Sequence, residues 1–413
     1  MNIIRNLARL LISPVFIFAG FVKLIDPLGL TYKFSDYFVA FHLDFLNPIA
    51  LVLAIALSAT ELLIGTNLLL RIRMKETSWA LMIFMVFFTI LTFIIAITNP
   101  VSDCGCFGDA LILTNWQTFF KNLIFLIPTL IVFYERDKYN QIFSPLVQWS
   151  VTVLIFLINI LLSVYYLRNL PPLDFRPYKI GTHILSSMEI PEGMPMDEYE
   201  TVLVYEKEGI AKEFTLDSPE QPWNDSTWEW IETKNVLVKE GYKPPIHDFS
   251  LTTLEGVDIT DQMLYDPGYS FLVIAYDLEK SSHRELTKIK SFSEKASEIG
   301  FSLYGMTSST DDIIHEIIDP FNYNFDFYTS DEITLKTIIR SNPGLVLIKN
   351  GVIIGKWPGR SLPDLEKLEK SGISASLSAL QKANSDGIAL IVVLIYTILG
   401  ILTTSFRLYR LNE

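Results

Sequence analysis

Six apolar runs, each approaching the ~20 residues that a helix needs to cross a bilayer, decide most of what this 413-residue chain can fold into. They cover residues 6–23, 48–70, 79–98, 118–133, 145–166 and 387–408. With 50% of its residues apolar, the chain reads as a membrane protein, and an ordinary soluble enzyme is excluded. Lys121 and Asn122 interrupt the fourth run, which makes it the least regular of the set.

Short loops rich in Lys and Arg tend to stay in the cytoplasm. Arg5 and Arg9 precede the first run, Arg71, Arg73 and Lys75 follow the second, Arg136 and Lys138 follow the fourth, and Arg407 and Arg410 close the chain. All of these are expected to face inward, which puts both termini in the cytoplasm. The loop at residues 99–114 carries Asp103 and Asp109 but no Lys or Arg, so it is expected outside. No small-residue cleavage site follows the first run, which is therefore expected to stay as a helix and not to leave as a signal peptide.

Residues 171–386 then also face outward, with 36 acidic and 20 basic residues. That balance excludes nucleic acid as a partner and argues against docking on an anionic lipid surface. Within it, "DEYETVLVYEKEGIAKEFTL" alternates apolar and polar residues about Glu208-Gly209, the pattern of a hairpin in a small β-containing module over 171–243. Trp223, Trp228 and Trp230 are expected to pack its core in preference to forming a sugar platform.

From residue 244 the pattern becomes strand, helix, strand, helix, hairpin: "YSFLVIAY" reads as a buried strand, and "GLVLIKNGVIIGKW" as a hairpin about Asn350-Gly351. With "PPIHDFSL" at its start and "SNPGLVLIKNGVIIGKWPG" near its end, the stretch 244–371 resembles the thioredoxin-like fold. The resemblance implies a cis peptide before Pro343 and a peptide-binding groove beside it. It also implies a Cys-x-x-Cys pair after the strand ending at Tyr276, where this chain reads "DLEKSSHREL". Ser281, Ser282 and His283 replace the cysteines, and a hydroxyl forms no disulfide. Ser282 beside His283 has no third group to orient it as a nucleophile. Asn342, Pro343, Ser282 and His283 are thus expected to line a docking groove without chemistry of its own.

The only cysteines, Cys104 and Cys106, flank one glycine in "NPVSDCGCFGDALILTNW". Outside the cytosol a disulfide forms and persists. Closing a three-residue loop removes little unfolded-state disorder, about 1.6 kcal/mol against roughly 4.7 for a 100-residue loop. A bridge across Gly105 is a poor staple and is expected to be strained and easily reduced. Redox exchange suits the spacing best; an inert disulfide and a two-thiolate metal site remain as alternatives. A metal would lack ligands beyond His42, so none is assigned, and His183, His247 and His315 stand isolated. Thr114 and Asn115 are caps for the fourth run, whose start brings partial positive charge toward the thiols. Glu61, deep in the second run, calls for a partner or a role: Lys23 and Lys121 are candidate partners, a proton-relay or quinone-head role is the sharper reading, and a polar contact with Thr60, Thr66 or Asn67 is the plainer one.

"LLISPVFIFAGFVKLIDPLG", "DCGCFG" and "LTNWQTFFKNLIFL" resemble the DoxX-like membrane family in its MauE-like branch, over residues 1–133. The resemblance implies a four-helix bundle serving disulfide chemistry in exported proteins, with Cys104 and Cys106 as the working pair; Gly105, Phe107, Gly108, Glu61, Lys23 and Lys121 are expected to support that pair. A more distant likeness to vitamin K epoxide reductase-like bundles implies a quinone as the candidate cofactor. The whole order is similar to DoxX-family proteins of Bacteroidota. That order is a four-helix domain (1–140), a fifth crossing (141–170), a β module (171–243), a cysteine-less thioredoxin-like domain (244–371), and a linker with a sixth crossing (372–413). A bacterial inner-membrane exchange component with a periplasmic domain that docks an exported or membrane protein is expected. A non-enzymatic scaffold for exported proteins is the alternative.

Overall fold

The computed structural model describes residues 2–101, 103–140, 143–239, 241–366 and 368. The sixth crossing expected at 387–408 lies outside the described residues. The membrane part runs α1 (Asn2–Ile25), a shorter α2 (Pro27–Ala40), α3 (Ala50–Leu70), α4 (Met74–Thr98), α5 (Asn115–Tyr134) and α6 (Pro145–Arg168). All but α2 are long and apolar enough to cross a membrane.

Helix α2 is the element the apolar runs do not disclose. Asp26 caps it by accepting from Gly29 N at 3.0 Å, and Pro27 opens it with a preset φ. Phe34, Tyr37 and Phe38 line a cavity in the bundle, whereas Tyr32 meets Tyr276 and Lys33 pairs with Asp103, so no run of apolar residues marks it. Helices α1 and α3 approach until backbones touch. A Cβ at Gly20 would lie 2.5 Å from Leu62 N, and one at Gly65 2.6 Å from Ile17 N. In lipid, where apolar burial brings no advantage, such small-residue contacts hold helices together. The two polar residues that interrupt α5 point inward. Asn122 donates to Thr92 Oγ1 at 3.1 Å on α4, and the Lys121 ammonium lies 4.5 Å from the centre of the Phe107 ring.

After α7 (Ile184–Met188) comes an antiparallel sheet of β1 (Glu198–Lys207), β2 (Ile210–Thr215) and β3 (Glu229–Lys239), with β1 central. The pair β1–β2 forms the hairpin about Glu208-Gly209. The tryptophans do not form the expected core. Trp228 meets Phe214 edge-on, centroids 5.1 Å apart, but Trp223 and Trp230 are exposed. The reason is that β3 is exposed along its whole length, so neither ring has a second layer to pack against among the described residues.

The chain continues through α8 (Thr260–Leu264), β4 (Tyr269–Ile274), α9 (His283–Glu298), β5 (Ser302–Thr307), α10 (Asp311–Ile318), β6 (Phe327–Thr329), α11 (Glu332–Ile338), β7 (Gly344–Lys349) and β8 (Val352–Pro358). The sheet order is β6-β5-β4-β7-β8, parallel from β6 to β4 and antiparallel from β4 to β8. It resembles thioredoxin-like folds, and the Asn342–Pro343 peptide is cis. Alternate residues of β4 enter opposite cores: Leu272 and Ile274 join Tyr178, Ile246 and Leu335, while Phe271 and Val273 join Ile289 and Phe292. Both faces are covered, as parallel strands require.

Tyr178 and Ile184 are fully buried in this core, and Gly181 and Thr182 bond through their backbones to Ile353 at 2.7 and 2.9 Å. The stretch 171–243 is therefore not one module. Its first part completes the larger sheet domain, because the Ile353 edge and the face beneath it need cover, and the small sheet is an excursion from it. Several contacts seat this domain on the bundle. Arg340 reaches Asp26 beyond α1 and Asp109 in the loop after α4, and Arg360 reaches Leu167 O in α6. Loop 99–114 and the sheet domain thus share one end of the bundle.

Candidate functional site

The site is the loop between α4 and α5. Helix α4 ends where Asn99 turns left-handed and Pro100 follows; α5 starts at Thr114, whose side chain and that of Gln117 form a reciprocal capping box. Asn115 ties the two ends together, donating to Asn99 Oδ1 at 2.7 Å and to Val101 O at 2.8 Å. Inside the loop, Asp103 accepts from Gly105 N at 2.9 Å and pairs with Lys33 of α2 at 2.7 Å. Gly105 has φ +65°, and a Cβ there would meet the Lys33 side chain at 3.2 Å. Glycine is thus required both by the backbone angle and by the lysine stem laid across it.

This turn brings the sulfurs of Cys104 and Cys106 to 3.0 Å, both as free thiols, with Cys104 buried. Tyr37 on α2 donates to Cys104 O at 2.9 Å. The two thiols differ. Cys106 is lowered below an ordinary thiol by the hydrogen bond from Cys104 and then by the charges of Lys121 and Lys23, against the opposing effect of burial. Cys104 is raised, because it holds the shared proton and is buried beside a developing thiolate. Cys106 is therefore the better nucleophile of the two.

The supporting residues named from sequence assemble here. Lys23 donates to both oxygens of Glu61, at 2.7 and 2.8 Å, and both residues are only 5% exposed. The pairing with Thr60, Thr66 or Asn67 is not what forms, since Thr60 and Thr66 bond back to their own helix at Ala56 O and Leu62 O. Phe107 is buried under Lys121, and Gly108 N donates to Gly105 O at 3.1 Å, closing the turn. The two acids of the loop are paired, Asp103 with Lys33 and Asp109 with Arg340 at 3.0 Å. Sequence reasoning missed Lys33, Tyr37 and Arg340, whose role depends on contacts that local pattern does not carry.

The thiols open into a cavity of about 710 Å³ inside the bundle. Phe16, Phe34, Phe38, Phe84 and Phe88 are among its apolar walls, and its few polar groups gather at the end holding Cys104, Cys106, Lys23, Glu61 and Lys121. Ile83 and Phe87, 63% and 58% exposed, stand at its rim on α4. Among the described residues no cluster of three or more metal-ligating side chains occurs.

The residues expected to line a groove do not join this site. In the sheet domain, the Ser281 hydroxyl donates to Asn342 Oδ1 at 2.9 Å and Asn342 Nδ2 donates to Asp277 O at 2.6 Å. Ser282 begins α9 without a side-chain cap, and the His283 ring packs against Phe321 with centroids 4.8 Å apart.

Comparisons with known proteins divide the chain in the same way. Residues 1–135 match the family model of methylamine utilisation protein MauE, and residues 199–240 match a domain of unknown function, DUF8463. No curated protein matches the chain. Its sheet domain is similar to three solved structures, among others. The thioredoxin domain of a thiol-disulfide oxidoreductase from Bacteroides vulgatus is 16% identical, over 30% of this chain and 91% of that one (TM-score 0.24). A thioredoxin-like protein from Aeropyrum pernix is 14% identical, over 31% and 89% (TM-score 0.25). StoA from Bacillus subtilis is 18% identical, over 30% and 93% (TM-score 0.23).

Proposed function

We propose that this membrane protein is a thiol–disulfide exchange component in which Cys104 and Cys106 cycle between dithiol and disulfide. The loop and sheet domain face the periplasm of a bacterial inner membrane, with the chain termini in the cytoplasm. The observation that carries the reading is the asymmetric pair itself: sulfurs 3.0 Å apart, one thiol lowered and its neighbour raised. In the exchange the Cys106 thiolate attacks a disulfide of an exported or membrane protein, forming a mixed disulfide and releasing one partner thiolate, which takes a proton. Cys104 then loses its proton and attacks Cys106 Sγ, giving the Cys104–Cys106 disulfide and freeing the second partner sulfur as a thiol. The reverse sequence oxidises a partner dithiol, so the same residues serve either direction.

A quinone fits the cavity: about 710 Å³ lies within the ~300–1,000 Å³ of small-molecule sites, with aromatic walls and polar groups at one end only. Lys121 would hold its polar ring there, with Phe34 and Phe38 among the walls around it. When bound, it would supply a two-electron, two-proton acceptor for the thiol pair.

Trapping tests the proposal. Cys104→Ser, which leaves the nucleophile and removes the resolving thiol, is expected to accumulate a mixed disulfide with an exported protein on non-reducing gels, and Cys106→Ser is not. A chain with both serines that inserts normally and keeps its cellular role would replace this reading with that of a scaffold.

A further inference from the structure

The sheet domain reaches the thiol loop across 231 positions of sequence, through Arg340 and Asp109. Arg340, 9% exposed, lies between the C-terminus of α11 and the cis-proline turn. Its Nε donates to both oxygens of Asp26, at 3.1 and 2.9 Å, and its Nη2 donates to Asp109 at 3.0 Å. Its Nη1 donates back to Lys336 O at 2.6 Å. Each guanidinium nitrogen is thus engaged, and the fork spans one acid at the start of α2 and one in the thiol loop. A planar fork bridges two carboxylates in a way that a lysine point charge cannot.

Helix α2 stands between the domain and the thiols. On one side Asp26 takes Arg340, the Tyr32 hydroxyl meets that of Tyr276 at 3.0 Å, and Lys336 lies 4.8 Å from the Tyr32 ring centre. On the other, Lys33 pairs with Asp103 and Tyr37 donates to Cys104 O. Tyr276 lies two residues beyond β4, where thioredoxin-like domains go on to their cysteines, so the cysteine-less end of the sheet is the end seated on α2. Across a cleft of about 240 Å³, α11 and Arg340 face the backbone of Gly105.

We propose that Arg340 is a positioning residue for the thiol pair. By fastening Asp109 and Asp26 to the sheet domain, it holds the loop and its α2 support so that Cys106 faces Lys121 and Lys23. The consequence is that the cysteine-less domain sets the reactivity of sulfurs in the bundle. The inference rests on Cys106 being the nucleophile. The groups facing Cys106 are Cys104 in the loop, Lys23 on α1, Tyr37 on α2, Glu61 on α3 and Lys121 on α5, and none of them is altered in the test.

The test is the pH profile of Cys106 alkylation by iodoacetamide, in the full chain reconstituted in lipid nanodiscs, with the modified cysteine identified by mass spectrometry. Arg340→Met and Asp109→Asn are each expected to move the midpoint upward toward that of a free thiol. The rate below the midpoint then falls about tenfold for each unit of movement. Arg340→Lys, keeping the charge without the fork, is expected to fall between. Should Arg340→Met fail to accumulate in the membrane, Asp109→Asn breaks the same link from the loop side and leaves the Arg340–Asp26 contact in place. Unchanged midpoints in Asp109→Asn and in a well-inserted Arg340 variant would overturn the inference and leave Arg340 as a structural tie only. A wild-type Cys106 that titrates like a free thiol would instead sink the exchange reading on which it rests.

Discussion

The sheet domain has the strand order of a thioredoxin-like fold and a cis proline but no cysteine; the bundle has both cysteines on a loop that belongs to no such frame. In the first, the place of the sulfurs is closed by neutral hydrogen bonds among Ser281, Asn342 and Asp277 O. In the second, the buried Lys23 and the half-buried Lys121 converge on a thiol from different helices. The difference teaches that thiol reactivity depends on nearby charge and a permissive turn, not on the fold around it.

The comparison breaks most visibly at Lys23–Glu61, a buried ion pair, where the sheet domain's cysteine position has the Lys280–Asp277 pair with its lysine exposed. Lys23→Met leaves a buried carboxylate without its partner and is expected to cost about 3–5 kcal/mol, read as loss of resistance to thermal unfolding in detergent. Adding Glu61→Leu should recover most of that. A small effect of the single substitution would show that the pair is wet.

A narrower test addresses charge at the thiols. Cys106 lies below an ordinary thiol, so its alkylation persists as pH falls through the range in which a free cysteine becomes protonated. Lys121→Met removes one of the two nearby cations. It is expected to raise the midpoint by about one unit, slowing alkylation near neutral pH about tenfold. An unmoved profile would assign the lowering to Cys104 and Lys23.

The smallest effect belongs to the sheet domain. Asn342→Ala removes hydrogen bonds to Ser281 and Asp277 and is expected to cost about 1–2 kcal/mol of domain stability. Because the bonds are neutral and internal, Cys106 alkylation should not change. If it does, the cysteine-less edge influences the thiols by more than the Arg340 tie.

Much of this division was legible in sequence because it rests on local pattern. Apolar runs of membrane length mark α1 and α3–α6, alternation about Glu208-Gly209 and Asn350-Gly351 marks the hairpins, and the spacing about Gly105 marks the thiols. What stayed hidden depends on distant contacts. Lys23 and Glu61 are both conspicuous, yet only the crossing of α1 and α3 chooses their pairing over Thr60 or Thr66. Helix α2 mixes aromatic and charged residues because it is wedged between lipid-facing and domain-facing surfaces, a demand that no single periodicity expresses. Tyr178 and Ile184 look like linker until the strand they cover is in place. Trp223 and Trp230 depart from the expectation because aromatic clusters usually find a second layer, and this small sheet has none among the described residues.

The glycine contact between α1 and α3 has a further consequence. Gly20 lies three residues before Lys23, and Gly65 four residues after Glu61, so each glycine sits about one turn from one member of the ion pair. The bare backbones act as a gauge block that sets how far apart the two charges stand. Even a methyl group at either glycine would pry the helices open at that level, lengthening the 2.7 Å bond and letting water or lipid compete for it. The clearance of the whole polar end of the cavity is in this sense machined by two missing side chains.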